Sequence, residues 1–462
     1  MNESQNESRW PSLLMGVGLG LLLALLFAAM TGVEFSPALV NLLMIAIIAA
    51  GFFMLARALL SAGAEPTTPT PPASAESAGG LTTSGAETAE WPSELPVAFD
   101  DIFTTRFQRR EGEAMIVEGE LQIPSDQAHE QLQRRFAETE YLPMLQTGNT
   151  GEPVLVLLPR RMVTRPGAKN RPWLNGLLLL ATLLTTVWAG ALHQGVNLLN
   201  EPERFTVGLP YALALLLILG AHELGHYIAA RVHGIDVSLP YFIPVPFALG
   251  TFGAFISIRS ISEHRRALFD VAVAGPLAGL VFAIPALWIG LQYSTVSPEA
   301  VTQPMMLHQG ASAGSSVLLA LVASASIPEA IQQGHQLQLH PLAFAGWLGL
   351  FITALNLLPV GQLDGGHIAD AMFGARGGRI IGTVAMVGLV LLGLFVWSGL
   401  LMWALLIYFI AGRKGMPPLD DVTPMSRSRW LLGWFALALL VAILLPVPHA
   451  LYDSFGIHCP YA

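Results

Sequence analysis

Apolar residues gather into long runs parted by short polar connections, at about 12–30, 38–60, 173–192, 207–230, 267–291, 342–360, 380–412 and 430–447. Crossing a hydrocarbon core about 30 Å thick takes about 20 helical residues, so these runs predict membrane-spanning helices. The 380–412 run exceeds one ordinary span, and Trp397, Ser398 and Gly399 offer a turn that would make it two short helices. The pattern therefore predicts an all-α polytopic membrane protein of about eight or nine spans. Composition agrees, with 12% charged residues against about 25% in soluble domains.

Two segments break this pattern. Residues 61–95 are rich in Pro, Ser, Thr, Ala and Gly, too poor in large apolar side chains to offset the entropy of ordering, and read as a disordered linker. Residues 96–171 read as a small soluble α/β module. Within it AMIVEGELQI alternates as a strand, Ser125 or Asp126 caps the amphipathic helix QAHEQLQRRFAETEYL, and PVLVLLP forms a second strand. No catalytic constellation stands out there, and its Arg/Glu-rich helix reads as a solvated face. The expected order is a transmembrane hairpin at 1–60, the linker, the module, a catalytic membrane domain at 172–412, and a last helix with its tail at 413–462. A cleaved signal peptide over 12–30 is the alternative to the hairpin. Arg9 set against Glu3 and Glu7, with a second apolar run close behind, favours retention.

Charge adds orientation. Arg160, Arg161, Arg165, Lys169 and Arg171 precede the third span; Arg231, Arg259, Arg265 and Arg266 follow the fourth; Arg376 and Arg379 follow the sixth; Arg413, Lys414, Arg427 and Arg429 precede the last. All fall on one face, whereas the 293–340 connection has no Lys or Arg, as a translocated loop would. The net charge of −9 resides largely in solvated extramembrane segments and excludes a nucleic-acid footprint. One cysteine, Cys459, excludes a disulfide framework or a Cys-rich metal site.

The chemistry lies in GAHELGHYIAAR. His222 and His226, four apart on a helix, share one face and can share one metal, while Glu223 beside them suits the general base of a zinc hydrolase. A chance H-E-x-x-H is expected in about one sequence in a hundred of this length. In a span, each such residue costs about 2 kcal/mol or more unless paired or metal-bound, which argues against chance here. Tetrahedral zinc needs a third protein donor besides water. Asp364, in NLLPVGQLDGGH on the same topological face, is the best candidate, with Gly361, Gly365 and Gly366 letting an irregular backbone approach the metal. Without its partner motif, the Asp-Gly pair would read as a turn.

Together these motifs resemble the site-2 proteases, which cut substrate proteins within the membrane. HELGH matches their H-E-x-x-H, and Asn356, Pro359, Asp364 and Gly365 match N-x-x-P-x-x-x-x-D-G. GTFGAFISIRS and ALFDVAVAGPLAG resemble a glycine-rich re-entrant segment and adjoining helix of the chloroplast and cyanobacterial branch, so the likeness covers about 173–412. The resemblance implies one Zn2+ per chain held by His222, His226 and Asp364, with Glu223 as base. It implies Asn356 near the scissile carbonyl, where an amide donor would stabilise developing negative charge; helix capping is the plainer reading of Asn356. Pro240, Pro244, Pro246, Gly250 and Gly253 break the apolar segment 239–258, which is expected to loop into the membrane. Gly250, Gly253 and Ser257 are its substrate-binding candidates, presenting strand-like backbone to an unwound substrate; a loop that merely covers the site would use the same prolines.

The implied partners are transmembrane protein substrates and the lipid bilayer. The implied place is a bacterial inner or thylakoid-type membrane, with the active site near the cytoplasmic side. His367 follows the ligand motif and reads as an orienting group or a bystander in preference to an extra ligand. The 293–340 connection is too short for the PDZ module many relatives carry, and the amino-terminal module is expected to take on regulation. Metal transport, an inactive scaffold, and a prenylated-protein type of protease with a downstream Glu ligand are the rival readings.

Overall fold

In the computed structural model the described residues are 99–163, 171–297, 316–328, 336–395 and 417–445, apart from 112, 149, 150, 247 and 248, with 400, 403, 404, 407 and 447 in addition. The expected hairpin at 1–60, the linker at 61–95 and the turn at 397–399 lie outside them.

The module forms a four-stranded antiparallel sheet in the order β1-β2-β4-β3, from β1 (Phe103–Glu111), β2 (Ala114–Leu121), β3 (Tyr141–Thr147) and β4 (Pro153–Pro159). The period-2 alternation of β2 turns Met115 and Val117 inward. With Phe103, Leu155 and Leu157 they form a core under α1 (Ser125–Arg135), which adds Ala128 and Leu132. Two strands were not expected, and the helix is shorter than predicted. It stops at Arg135, and Tyr141 and Leu142, read as its end, open β3.

Among the described residues, five helical segments are long and apolar enough to cross a membrane: Pro172–His193, Pro202–Val232, Arg265–Gln292, Asp364–Leu394 and Arg427–Leu444. They contain α2 (Pro172–His193), α3 (Leu209–Val232), α4 (Arg265–Gln292), α7 (Asp364–Phe395) and α8 (Arg427–Leu444). Two apolar helices, α5 (Val317–Ser326) and α6 (Pro341–Leu357), are shorter. The predicted 342–360 span thus ends at Leu357.

Local sequence explains several helix ends. α3 closes in a Schellman motif: Gly234 adopts φ +70°, its amide donates to Arg231 O, and Ile235 N donates to Ala230 O. Gly195, at φ +74°, closes α2 in the same way. α7 is broken at Gly374, φ +71°. A straight helix would hold residues 370 and 378 about 12 Å apart, yet a Cβ on Gly378 would touch the Asp370 side chain. The chain therefore folds back, and only the stretch after Gly374 is a straight apolar rod.

Glycine sets the packing. A Cβ on Gly290 would lie 2.1 Å from Ala343 N, and one on Gly346 2.4 Å from Leu287 N, so α4 and α6 cross backbone to backbone. Gly225 of α3 likewise meets Ala274 O of α4. At the end of the bundle where α3 finishes and α4 and α8 begin, Asp270 accepts from Arg429 Nε at 2.7 Å and Nη2 at 2.6 Å, and its Oδ2 lies 3.0 Å from His233 Nε2. Arg231, Arg265 and Arg427 belong to those ends.

The proline-broken segment is no helix, as expected. It is a β-hairpin of β5 (Tyr241–Pro244) and β6 (Thr251–Phe255) lying along α2. Asn175 Nδ2 donates to Leu239 O and Pro240 O at the base of the hairpin, and Thr185 Oγ1 donates to Gly250 O at its tip. Ten helical residues separate these ties, about 15 Å along a span.

Candidate active site

α3 carries His222, Glu223 and His226, all buried, near its closing end. His226 is six residues from Val232, about 9 Å along the axis. Asp364 opens α7, in the first turn, where the free amides of a helix start favour a carboxylate. Its approach depends on Gly365 and Gly366, where a Cβ would collide with Leu357 O at 1.9 Å and Gly361 O at 2.4 Å.

The two helices bring three ligand atoms together. His222 Nε2 and His226 Nε2 are 3.1 Å apart, and Asp364 Oδ2 lies 3.5 Å and 3.3 Å from them. Bonds of about 2.1 Å at a tetrahedral zinc place ligand atoms about 3.4 Å apart, so the three distances match the edges of one coordination tetrahedron. Among the described residues this is the one His/Cys/Asp/Glu group within metal-binding reach. His226 Nδ1 lies 2.8 Å from Val271 O, an arrangement in which Nδ1–H donates to the carbonyl and leaves the Nε2 lone pair facing the other ligands. Two imidazole nitrogens and a carboxylate oxygen at these distances form a donor set that fits a cation.

Asn356, near the end of α6, places Nδ2 3.2 Å from His222 Nε2. It faces the ligands, and Leu358 holds the cap position that the plainer reading gave to Asn356. His367 lies outside the ligand group. Glu223, 6% exposed, sits beside the ligands and interacts with the backbone amide of Ile256, just past β6. Gly253, at φ +99°, has open space where a Cβ would be. Gly250, at φ +80°, is pressed against the backbone of Thr186. Ser257 is engaged with Ser238: its amide donates to Ser238 Oγ, and its carbonyl accepts from Ser238 N.

One wall of the site was not read from the sequence. A Cβ on Gly275 of α4 would lie 2.1 Å from His226 Nε2, and one on Gly279 3.3 Å from His222 Cβ. The G-x-x-x-G spacing within AGPLAG was the available signal. Gly275→Ala should displace the His226 ring and weaken zinc binding by at least the ~10–100-fold typical of disturbing a ligand's support. Gly388→Ala, on a helix with nothing within 4 Å of the new Cβ, should retain zinc. Metal content of the two purified variants checks this.

Residues 210–397 match peptidase family M50. The chain is 34% identical over 385 residues to "Probable zinc metalloprotease EGY1, chloroplastic" of Arabidopsis thaliana, covering 75% of this chain and 68% of that protein. It is 30% identical over 364 residues to the EGY2 protein of the same description from Arabidopsis thaliana (76% and 63%), and 29% identical over 363 residues to that from Oryza sativa subsp. indica (76% and 64%). The chain thus spans roughly two thirds of the length of these relatives. A contiguous match to 75% of 462 residues is about 347 residues long and must run through 116–347, so the likeness includes the module from β2 onward. No solved structure matches the chain.

Proposed function

This chain belongs to peptidase family M50, the site-2 proteases, in the branch of the chloroplast metalloproteases, and from that premise we propose that it is a zinc endopeptidase that cuts protein substrates within the membrane. The observation that carries the reading is the convergence of His222, His226 and Asp364 beside buried Glu223, on helices apolar enough to span a bilayer. Zinc, when bound, supplies a Lewis acid that acidifies water and polarises a carbonyl. Asp364 offsets part of the ion's charge. Glu223 takes the water proton on its carboxylate and returns it to the leaving amine nitrogen. Asn356 Nδ2 donates to the scissile carbonyl oxygen as negative charge develops there.

The β5–β6 hairpin acts as a re-entrant element whose β6 edge, at Gly253, holds the substrate backbone extended beside the ligands, while Gly250 and Ser257, both engaged with the protein's own backbone, anchor it. The device answers a physical problem: a helical substrate hides its carbonyls in hydrogen bonds that lipid cannot replace. Substrates with a weakened helix are therefore the ones cut. Clustering of the basic helix ends supports an orientation with the site near the cytoplasmic face.

The test is cleavage in lipid vesicles of a single-span substrate with and without a Gly-Pro pair at the scissile region. Gly and Pro cost about 1 and 3 kcal/mol in a helix interior, so the paired variant should be cut at least tenfold faster. Equal rates for the two substrates would reject substrate unwinding.

A further inference from the structure

The module is not a free appendage. Segment 418–424 lies against the outer edge of β3: Leu145 N donates to Leu419 O at 2.7 Å, Asp421 N to Leu145 O at 2.9 Å, and Gln146 Nε2 to Pro418 O at 2.7 Å. On its other side the same segment meets 262–265, with Leu419 N donating to Ser262 O, Asp420 N to Glu263 O and Arg265 N to Asp420 O. The module's sheet is thereby continued by two isolated parallel β-bridges, Leu145 to Asp420 and Asp420 to His264, the second immediately before α4. Leu419 and Ile261 pack with Leu142, Met144 and Val156 on one face of this extension.

Asp420 is the hub. It is fully buried, and its Oδ1 accepts from the amides of Val422 and Thr423 at 3.0 Å each. Its Oδ2 pairs with His264 Nδ1 at 3.2 Å, and the His264 ring packs edge-on against His129 of α1, centroids 4.7 Å apart. This bond holds His264 above the usual imidazole range, and, against the opposing effect of burial, the bonds from His264 and Thr423 hold Asp420 below the usual carboxylate range.

From Ser262 the chain runs back to the active site through bonded residues. Asp236 N donates to Ser260 Oγ, Arg259 N to Asp236 O, Ile258 bridges Val237, and Ser257 is tied to Ser238. Next come Ile256, which touches Glu223 through its amide, and β6 itself. We propose that Asp420 is a positioning residue for proteolysis: by fixing 418–424 between β3 and 262–264, it sets the placement of β6 beside Glu223, so the module governs substrate capture without touching the ligands. The inference rests on the reading of β6 as the strand that pairs with substrate.

The variant Asp420→Ala, in the full chain, should raise KM for a membrane-embedded substrate at least tenfold, with kcat per bound zinc within about threefold of the parent. Asp420→Asn keeps the acceptor for Val422 and Thr423 and should restore KM to within threefold. A purely structural role would lower the active fraction, and hence apparent kcat, with KM unchanged; that pattern, or equal KM for the alanine and asparagine variants, overturns the inference. If Asp420→Ala does not accumulate, Gln146→Ala, which removes only the tie to Pro418, should give the same split in smaller measure, and an unchanged KM there also overturns it. Hydrogen exchange in nanodiscs separates this idea from the protease reading. Whether or not a substrate is cut, amides of 251–260 should exchange at least tenfold faster in Asp420→Ala, and unchanged protection rejects the coupling.

Discussion

Glu223→Gln should leave zinc content at the parent level and lower cleavage of a membrane-embedded substrate by about 10²–10⁴-fold or more, the usual contribution of a positioned acid–base group. Glutamine matches the size of glutamate, and the proposed ligand atoms belong to His222, His226 and Asp364, so the metal site would keep its donors. What is lost is a carboxylate able to accept and return a proton. Burial of Glu223 beside the Ile256 amide gives bulk water little chance to substitute for it. Metal analysis and a cleavage rate on the same preparation read both halves. A metal transporter would keep metal flux in this variant and cleave nothing in the parent. Cleavage surviving at the parent rate would remove Glu223 from the mechanism.

Asp364→Ala should lose both zinc and activity. The variant leaves two imidazole nitrogens 3.1 Å apart with no anionic partner, two ligands where three hold a hydrolytic zinc open to water. The loss of affinity should exceed the ~10–100-fold that follows removal of a group merely supporting a ligand. Asp364 oxygen sits 3.3 Å from His226 Nε2, within a ligand triangle no other acidic residue enters among the described residues. Normal zinc content in this variant would favour a protease whose third ligand is a glutamate elsewhere.

The candidate zinc site was legible because its information is short-range. The His222–His226 spacing needs only a helix, and the N-x-x-P-x-x-x-x-D-G residues lie within ten positions. The glycines at 361, 365 and 366 suggest irregular backbone near the metal, and at Gly365 and Gly366 the close contacts are with Leu357 O and Gly361 O. Long-range features were not legible. β1 is an edge strand whose residues after Phe103 are mostly exposed, so it has no apolar alternation to read. β3 owes part of its burial to Leu419 and Ile261, more than a hundred residues away in sequence. The fold-back at Gly374 was visible only as G-A-R-G-G, a breaker pattern next to an apolar run that looked continuous from residue 380. The Gly275 and Gly279 wall needs the α3–α4 crossing before its purpose appears.

Under the proposed mechanism the bond is cut inside the membrane by this His222, His226 and Asp364 site. Mass spectrometry of the products from a single-span substrate, co-reconstituted in vesicles with the zinc-loaded protein, tests it most directly. New termini should lie within the apolar span of the substrate and be absent when Glu223→Gln replaces the parent. Termini confined to the soluble flanks, or the same intramembrane products from the Glu223→Gln variant, would contradict it.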